Sequence, residues 1–428
     1  MRFCLALFVG LWVAIAPALA QGDLRGHGGP VRALAIAPSG DIAISGSFDQ
    51  SAIVWSLSQG KALRILRFHE GSVNAVLALK DGFVTGGEDG KVALWKTNGD
   101  RPARIFQAHT AAIAGLALSP DGNWLASAGW DGGVRLQDLR DGGGSRMLEG
   151  HKEIVNAVAF TADGKSLVSG GYDARIIIYS LTGDVLRTVV LPAPVSALVI
   201  AADGTMAAGC ADGVVVFLNN AGEIAVSVAA TETPVTSLAM SPDGRTLAAG
   251  SPRGAVALID IAARNLRFTL NGPGLPVWSM AFTPDGRQLL TGGADRIVRR
   301  WDATSGEHIG AIAGAGDDGV PGPYREMPGA DIFKACSVCH TLQPDGAGRA
   351  GPSLYGLFGR KAGSLPGYSY SDAFRNLDLV WTEKTVSRLF EIGPQAFTPG
   401  TKMPEQTVGN AQERQALIDF LRVAGAPR

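Results

Sequence analysis

One spacing governs most of this 428-residue chain. Asp49, Asp89, Asp131, Asp173, Asp212, Arg253 and Asp295 follow one another at intervals of 40, 42, 42, 39, 41 and 42 residues. Six positions after each marker stand Trp55, Trp95, Gln137, Tyr179, Leu218, Ile259 and Trp301; four positions before stand Ser45, Thr85, Ser127, Ser169, Ala208, Ala249 and Thr291. A unit this short cannot bury its apolar face alone, so seven of one length imply stacked neighbours and a closed array. Each unit holds alternating segments such as Val73 to Leu79 and Val155 to Phe160. Several then meet a turn of the type Ser119-Pro120-Asp121-Gly122 or Thr283-Pro284-Asp285-Gly286. Period-two apolar runs separated by such turns are strands, so residues from about 24 to 313 should be all β.

Four units open on His27, His69, His109 and His151, and the last carries the pair Trp301-Asp302. These phrases resemble the WD-repeat family across all seven units, which implies a seven-bladed β-propeller over residues 21–313. In such a blade the turn aspartate accepts from the histidine ring, the ring from the Ser/Thr hydroxyl, and the hydroxyl from the indole N–H. The histidines, one to a blade, are therefore structural rather than a metal cluster, and Trp55, Trp95 and Trp301 are core. Units five to seven lack the histidine and unit six has Arg253 for the aspartate, so apolar packing should hold those blades. Either a fourth strand from Glu307 to Ala313 or the short stretch from Gln21 to Gly26 can finish the seventh blade.

Residues 1–20 read as a secretory leader: Arg2, an apolar run from Phe3 to Ile15, then Ala18-Leu19-Ala20 before Gln21. Cleavage there gives an exported, periplasmic protein. The competing reading is an uncleaved membrane anchor, against which stand Pro17 and the shortness of the run. No later segment is apolar enough to span a bilayer. Residues 21–326 carry 26 Lys/Arg against 30 Asp/Glu, and residues 327–428 carry 11 against 9. That balance offers no basic footprint for nucleic acid; the slight acidity of the repeat suits basic partners or the edge of the chain's own C-terminal domain.

After a Gly-, Pro- and Asp-rich stretch, read as a surface linker over 314–328, the pattern changes. Cys336-Ser337-Val338-Cys339-His340 places two thiols three positions apart, each able to add to a haem vinyl group, with a histidine beside them for the iron. Gly329 to Ala335 reads as a helix entering this motif and Gln412 to Val423 as a second, amphipathic one. Cys210 is left as a lone thiol, so no disulfide framework is available.

Gly351-Pro352-Ser353-Leu354, Gly356-Leu357-Phe358-Gly359-Arg360-Lys361 and Pro399-Gly400-Thr401-Lys402-Met403 follow the motif. Residues 329–428 thereby resemble the class I cytochromes c of mitochondria and bacteria. The resemblance implies one covalent haem c, attached through Cys336 and Cys339, with His340 and Met403 as axial ligands. It also implies that the Pro352 carbonyl orients His340, that Arg360, Tyr370 and Trp381 contact the haem propionates, and that Gly329, Phe333 and Phe420 meet where helices cross. Phe374 and Leu389 stand where the family often has asparagine and tyrosine, which predicts a drier distal side.

The expected architecture is thus an all-β seven-bladed propeller followed by an all-α class I cytochrome c domain. With both axial positions of iron filled, outer-sphere electron transfer is the natural activity, and the chain reads as an electron carrier rather than an enzyme. The propeller then serves as a protein-docking scaffold for a redox partner. Two other readings stay open: a propeller oxidoreductase feeding its fused haem domain, and a haem-containing sensor or assembly factor.

Overall fold

The computed structural model describes residues 22–140, 143–310, 320–344, 349–368 and 370–427. The expected leader, residues 1–20, and the first part of the expected linker lie outside the described residues. Seven four-stranded antiparallel sheets form a ring, six of them covering 31–67, 73–107, 113–148, 155–190, 195–229 and 237–271. The seventh joins the strands of 277–302 to Leu24–Arg25 from the start of the chain. Its first strand packs against the first strand of blade 1, which closes the circle.

In blades 1 to 6 chain order is also the order of hydrogen-bonded neighbours, so the first strand lines the ring's interior and the last lies at the rim; in blade 7 the strand from the start of the chain takes the rim place. Burial follows this gradient: Arg175–Ser180 is mostly buried, whereas the rim strand Val185–Val190 is mostly exposed. Six first strands shift register at one equivalent point, between Val31 and Ala33 in blade 1 and between Val277 and Ser279 in blade 7. Such a bulge bends and twists a strand, and its recurrence gives successive blades one shape.

The polar chain expected inside the blades is present. In blade 1 the His27 ring donates through Nδ1 to Asp49 Oδ2 at 2.9 Å and accepts at Nε2 from Ser45 Oγ at 2.7 Å. Trp55 Nε1 donates to the same hydroxyl at 2.7 Å. Blade 2 repeats the set with His69, Asp89, Thr85 and Trp95, while blades 3 and 4 keep the histidine contacts alone. Blade 7 retains only Trp301 to Thr291, at 2.9 Å. In blades 5 and 6 the equivalent residues Ala208 and Leu218, and Ala249 and Ile259, have no solvent exposure, so apolar packing does replace the polar chain.

Both candidates for the closing strand contribute. Leu24 and Arg25 pair with Val298 and Ile297, and the segment after the sheet pairs with the strand's other half, Ile309 N donating to Arg300 O at 2.9 Å. Asp23 locks the two pieces together. Its carboxylate accepts from His308 Nε2 at 2.7 Å and pairs with Arg299 Nη1 at 3.3 Å. Residues 311–313 of the expected strand lie outside the described residues.

The second unit is helical: α1 (Ala330–Ser337), α2 (Asp372–Arg375), α3 (Glu383–Ile392), α4 (Pro394–Phe397) and α5 (Ala411–Ala424). Gly329 at φ +90° brings α1 against α5 so closely that a Cβ there would lie 2.2 Å from Ala416 O. Phe333 and Phe420 then stack across the crossing with ring centroids 5.1 Å apart. Thr382 caps α3 by accepting from Thr385 N, and Asn410 caps α5 by accepting from Gln412 N at 2.8 Å. The linker expectation needs correction over its second part: Val320 is buried in the helical core, and Tyr324 and Met327 pack against it. Three apolar residues in a Gly/Pro-rich stretch are enough to hold it down.

The helical unit sits on loops at one end of blades 1 and 2. Ala350 N donates to Gly26 O at 2.7 Å, and Lys402 Nζ donates to Gln50 Oε1 at 2.8 Å and His69 O at 3.2 Å. Gly28 touches the attachment motif itself. A Cβ on it would lie 2.3 Å from Cys339 Sγ, so only glycine allows this approach.

Candidate haem-binding site

The helical unit encloses a cleft of about 1120 Å³, counted to its open mouth. Cys336, Cys339, His340, Pro352, Arg360, Tyr370, Trp381 and Met403 all line it, so residues spread over 68 positions meet in one place. Helix α1 delivers Cys336, and the turn that ends it delivers Cys339 and His340, whose N–H groups both reach back to Cys336 O.

His340 is oriented before any ligand arrives. Its Nδ1 donates to Pro352 O at 2.7 Å, which leaves Nε2 as the acceptor facing the cleft. Burial pushes the imidazole below its ordinary value and keeps it neutral, as a metal ligand must be. Gly351 is the reason the ring fits, since a Cβ there would meet His340 Cε1 at 2.4 Å. Met403 lines the same cleft and packs against the same core, and its N–H is held by Thr401 Oγ1 at 3.1 Å.

Burial drives the Cys336 thiol up to about 12 and the Cys339 thiol up to about 11. Neither sulfur is engaged in a disulfide, so both are available to add to a haem vinyl group. Among the described residues no group of three or more His, Cys, Asp or Glu side chains is placed to hold a metal ion. Cys210 lies far from this chemistry, buried in blade 5 with its thiol pushed up to about 11 by desolvation.

Arg360 spans two backbone carbonyls, Ser353 O at 2.7 Å and Tyr355 O at 3.1 Å, and so ties the loop after Pro352 to the cleft wall. Tyr370, Phe374, Trp381 and Phe397 form a run of ring contacts, with Trp381 and Phe397 stacked at 6.1 Å. Phe374 and Leu389 also line the cleft, so the two departures from the family put hydrocarbon where polar groups are usual.

Two lining residues belong to the propeller, Asp49 and Arg67: the repeat marks Asp49 as a turn aspartate only, and no pattern marks Arg67. Arg67 ends the rim strand of blade 1, two positions before His69, and its guanidinium carbon lies 5.4 Å from the centre of the Tyr368 ring. Its Nε and Nη2 are buried without a hydrogen-bond partner, as is Ser371 Oγ on the helical side of the cleft. Unpaired donors beside two thiols and a preoriented histidine fit an anionic, planar, thiol-linked cofactor such as haem c.

Comparison with known proteins agrees with this geometry. The family described as "WD domain, G-beta repeat" matches residues 20–56, 60–96, 100–138, 144–180, 224–260 and 264–302. Residues 181–223, which hold most of blade 5, go unmatched although its sheet is complete. The family described as "Cytochrome c" matches residues 326–424. Over 95 residues the chain is 42% identical to the cytochrome c of Gibberella zeae, covering 22% of this chain and 89% of that protein. Likewise it is 42% identical over 95 residues to the cytochrome c2 of Rhodomicrobium vannielii, 22% of this chain and 75% of that one. An Arabidopsis thaliana cytochrome c is 43% identical over 94 residues, 22% and 83% respectively. The chain is a member of the WD-repeat family, a seven-bladed propeller that carries a C-terminal cytochrome c domain with covalently bound haem c.

Proposed function

We propose that this protein is a periplasmic electron carrier whose haem iron is held by His340 and Met403 and whose propeller docks the redox partner. The observation that carries the ligand assignment is His340 Nε2, left free for iron by the Nδ1 contact to Pro352 O, in a cleft that Met403 also lines. Haem c, when bound, supplies a one-electron couple that needs no open coordination site. The chain's own residues do the rest. Cys336 and Cys339 fix the cofactor's edge; Pro352 sets the imidazole plane. Trp381, Phe374 and Leu389 exclude water, and the Met403 thioether, as a ligand, would favour ferrous iron.

The docking role rests on the propeller end already in use. Trp130 and Tyr172 directly precede the turn aspartates of blades 3 and 4, at the register that Phe48 holds beside the helical unit in blade 1. Both are close to half exposed, at 47%. Amphipathic rings exposed at the register of the turn aspartates suit contact with a protein partner. Export is supported by the leader pattern of residues 1–20.

Met403→Ala tests the core of the proposal. The variant should keep its thioether-linked haem, lose the ferric iron–sulfur charge-transfer absorption, and fall in potential by about 100 mV or more as a ferrous-favouring ligand disappears. An unchanged spectrum and potential would show that another group holds the distal position.

A further inference from the structure

We infer that Arg67, a propeller residue, is the cationic partner of a haem carboxylate, so that the haem crevice is built jointly by both domains. This deepens the haem reading and rests on it. Arg67 Nε and Nη2 are buried without a partner, and the side chain forms no ion pair among the described residues. A guanidinium out of water with two idle donors calls for an anion, and its fork matches a carboxylate. Its acidic neighbour is already engaged: Asp49 accepts from His27 Nδ1 at 2.9 Å, Gly28 N at 2.8 Å and Ser51 N at 2.9 Å.

The cofactor brings two carboxylates, and the helical domain's arginine in the cleft wall, Arg360, is occupied elsewhere. Arg360 donates Nη2 and Nη1 to Ser353 O and Tyr355 O. Ser371 Oγ, on the helical side of the same cleft, is also buried without a partner. A carboxylate between Arg67 and Ser371 would satisfy all three orphaned donors. The Tyr368 ring fixes the guanidinium from one side at 5.4 Å, and Tyr368 is itself anchored through its hydroxyl to Ala350 O at 2.6 Å. Ala350 is the residue whose N–H bonds to Gly26 O, so the arginine, the tyrosine and the interdomain contact form one assembly.

The test uses the full-length, haem-loaded protein equilibrated with a one-electron mediator at fixed ratio. Removing a positive charge beside the haem favours ferric iron, so Arg67→Gln should raise the ferric-to-ferrous ratio by about tenfold. Arg67→Lys, which keeps the charge, should recover most of that shift. Gln50→Gly removes one of the propeller's two contacts to Lys402 without touching the cleft wall and reports what looser docking alone does; thermal unfolding follows the fold in each variant. The expected result is a shift in Arg67→Gln, recovery in Arg67→Lys, and none in Gln50→Gly. A ratio unchanged in Arg67→Gln, or a shift of equal size in Gln50→Gly or Arg67→Lys, would overturn the assignment while leaving covalent haem and its axial ligands intact.

Discussion

The turn aspartates show how a single residue can be legible in sequence and still depend on structure for its energetics. Asp173 is opposed by burial, yet the Lys152 N–H, the His151 ring and the Arg175 N–H outweigh it and hold its carboxyl below the ordinary value. A carboxyl depressed in the folded state contributes stability that is present above its unfolded value and is lost as pH falls through its folded one. Propeller stability should therefore be flat with respect to this group above about pH 5 and decline below about pH 4. Asp173→Asn should cost roughly 1–3 kcal/mol at neutral pH and blunt that acid decline; thermal unfolding across pH measures both. Phe374 is a different case, since the side chain reveals a departure from the family but not what surrounds it. The ring lies between Tyr370 and Trp381, 6.3 and 6.2 Å from them, where an amide would bring polarity into the cleft. Phe374→Asn should move the haem potential by more than about 30 mV; a smaller change in a redox titration would mean the cleft is already wet.

At the scale of elements, the strands and the helix α5 were readable because each carries a repeated signal: period-two apolar runs in the blades, and an amphipathic pattern in α5 with Leu417, Phe420 and Leu421 buried. The crossing of α1 and α5 was readable only through the cytochrome resemblance, because a single glycine has no periodicity. Gly329→Ala should cost about 3 kcal/mol or more, the sum of a side chain at φ +90° and a Cβ 2.2 Å from the Ala416 carbonyl oxygen. Denaturant unfolding followed at the haem should show the loss, and unfolding followed by β-sheet circular dichroism should not. The closing strand was readable only as one of two alternatives, for the converse reason. Leu24–Arg25 is two residues long, too short to alternate, and its place in blade 7 is set by partners at Ile297 and Val298, more than 270 positions away.

For the whole molecule, what the sequence left open is what joins distant parts: the seam of the ring and the seat of the haem domain. Ala350 bonding to Gly26, Lys402 to Gln50 and Gly28 against Cys339 are single contacts between segments more than 300 residues apart, and no local pattern announces them. Both seams draw on the start of the chain. Residues 23–25 close blade 7 while residues 26–28 meet the attachment motif, so a loosened N-terminal strand should disturb the haem domain as well as the ring. Asp23 is the lever, since its buried carboxylate ties His308 and Arg299 together across the seam. Asp23→Ala leaves His308 and Arg299 without this partner and should destabilise the propeller by about 3 kcal/mol, the usual cost of breaking a buried pair from one side. Because Gly26 and Gly28 lie directly beyond the released strand, small charged reductants should also reach the haem faster in the variant. Stopped-flow reduction at two ionic strengths would detect this, and a propeller that loosens with no change in reduction rate would separate the two seams.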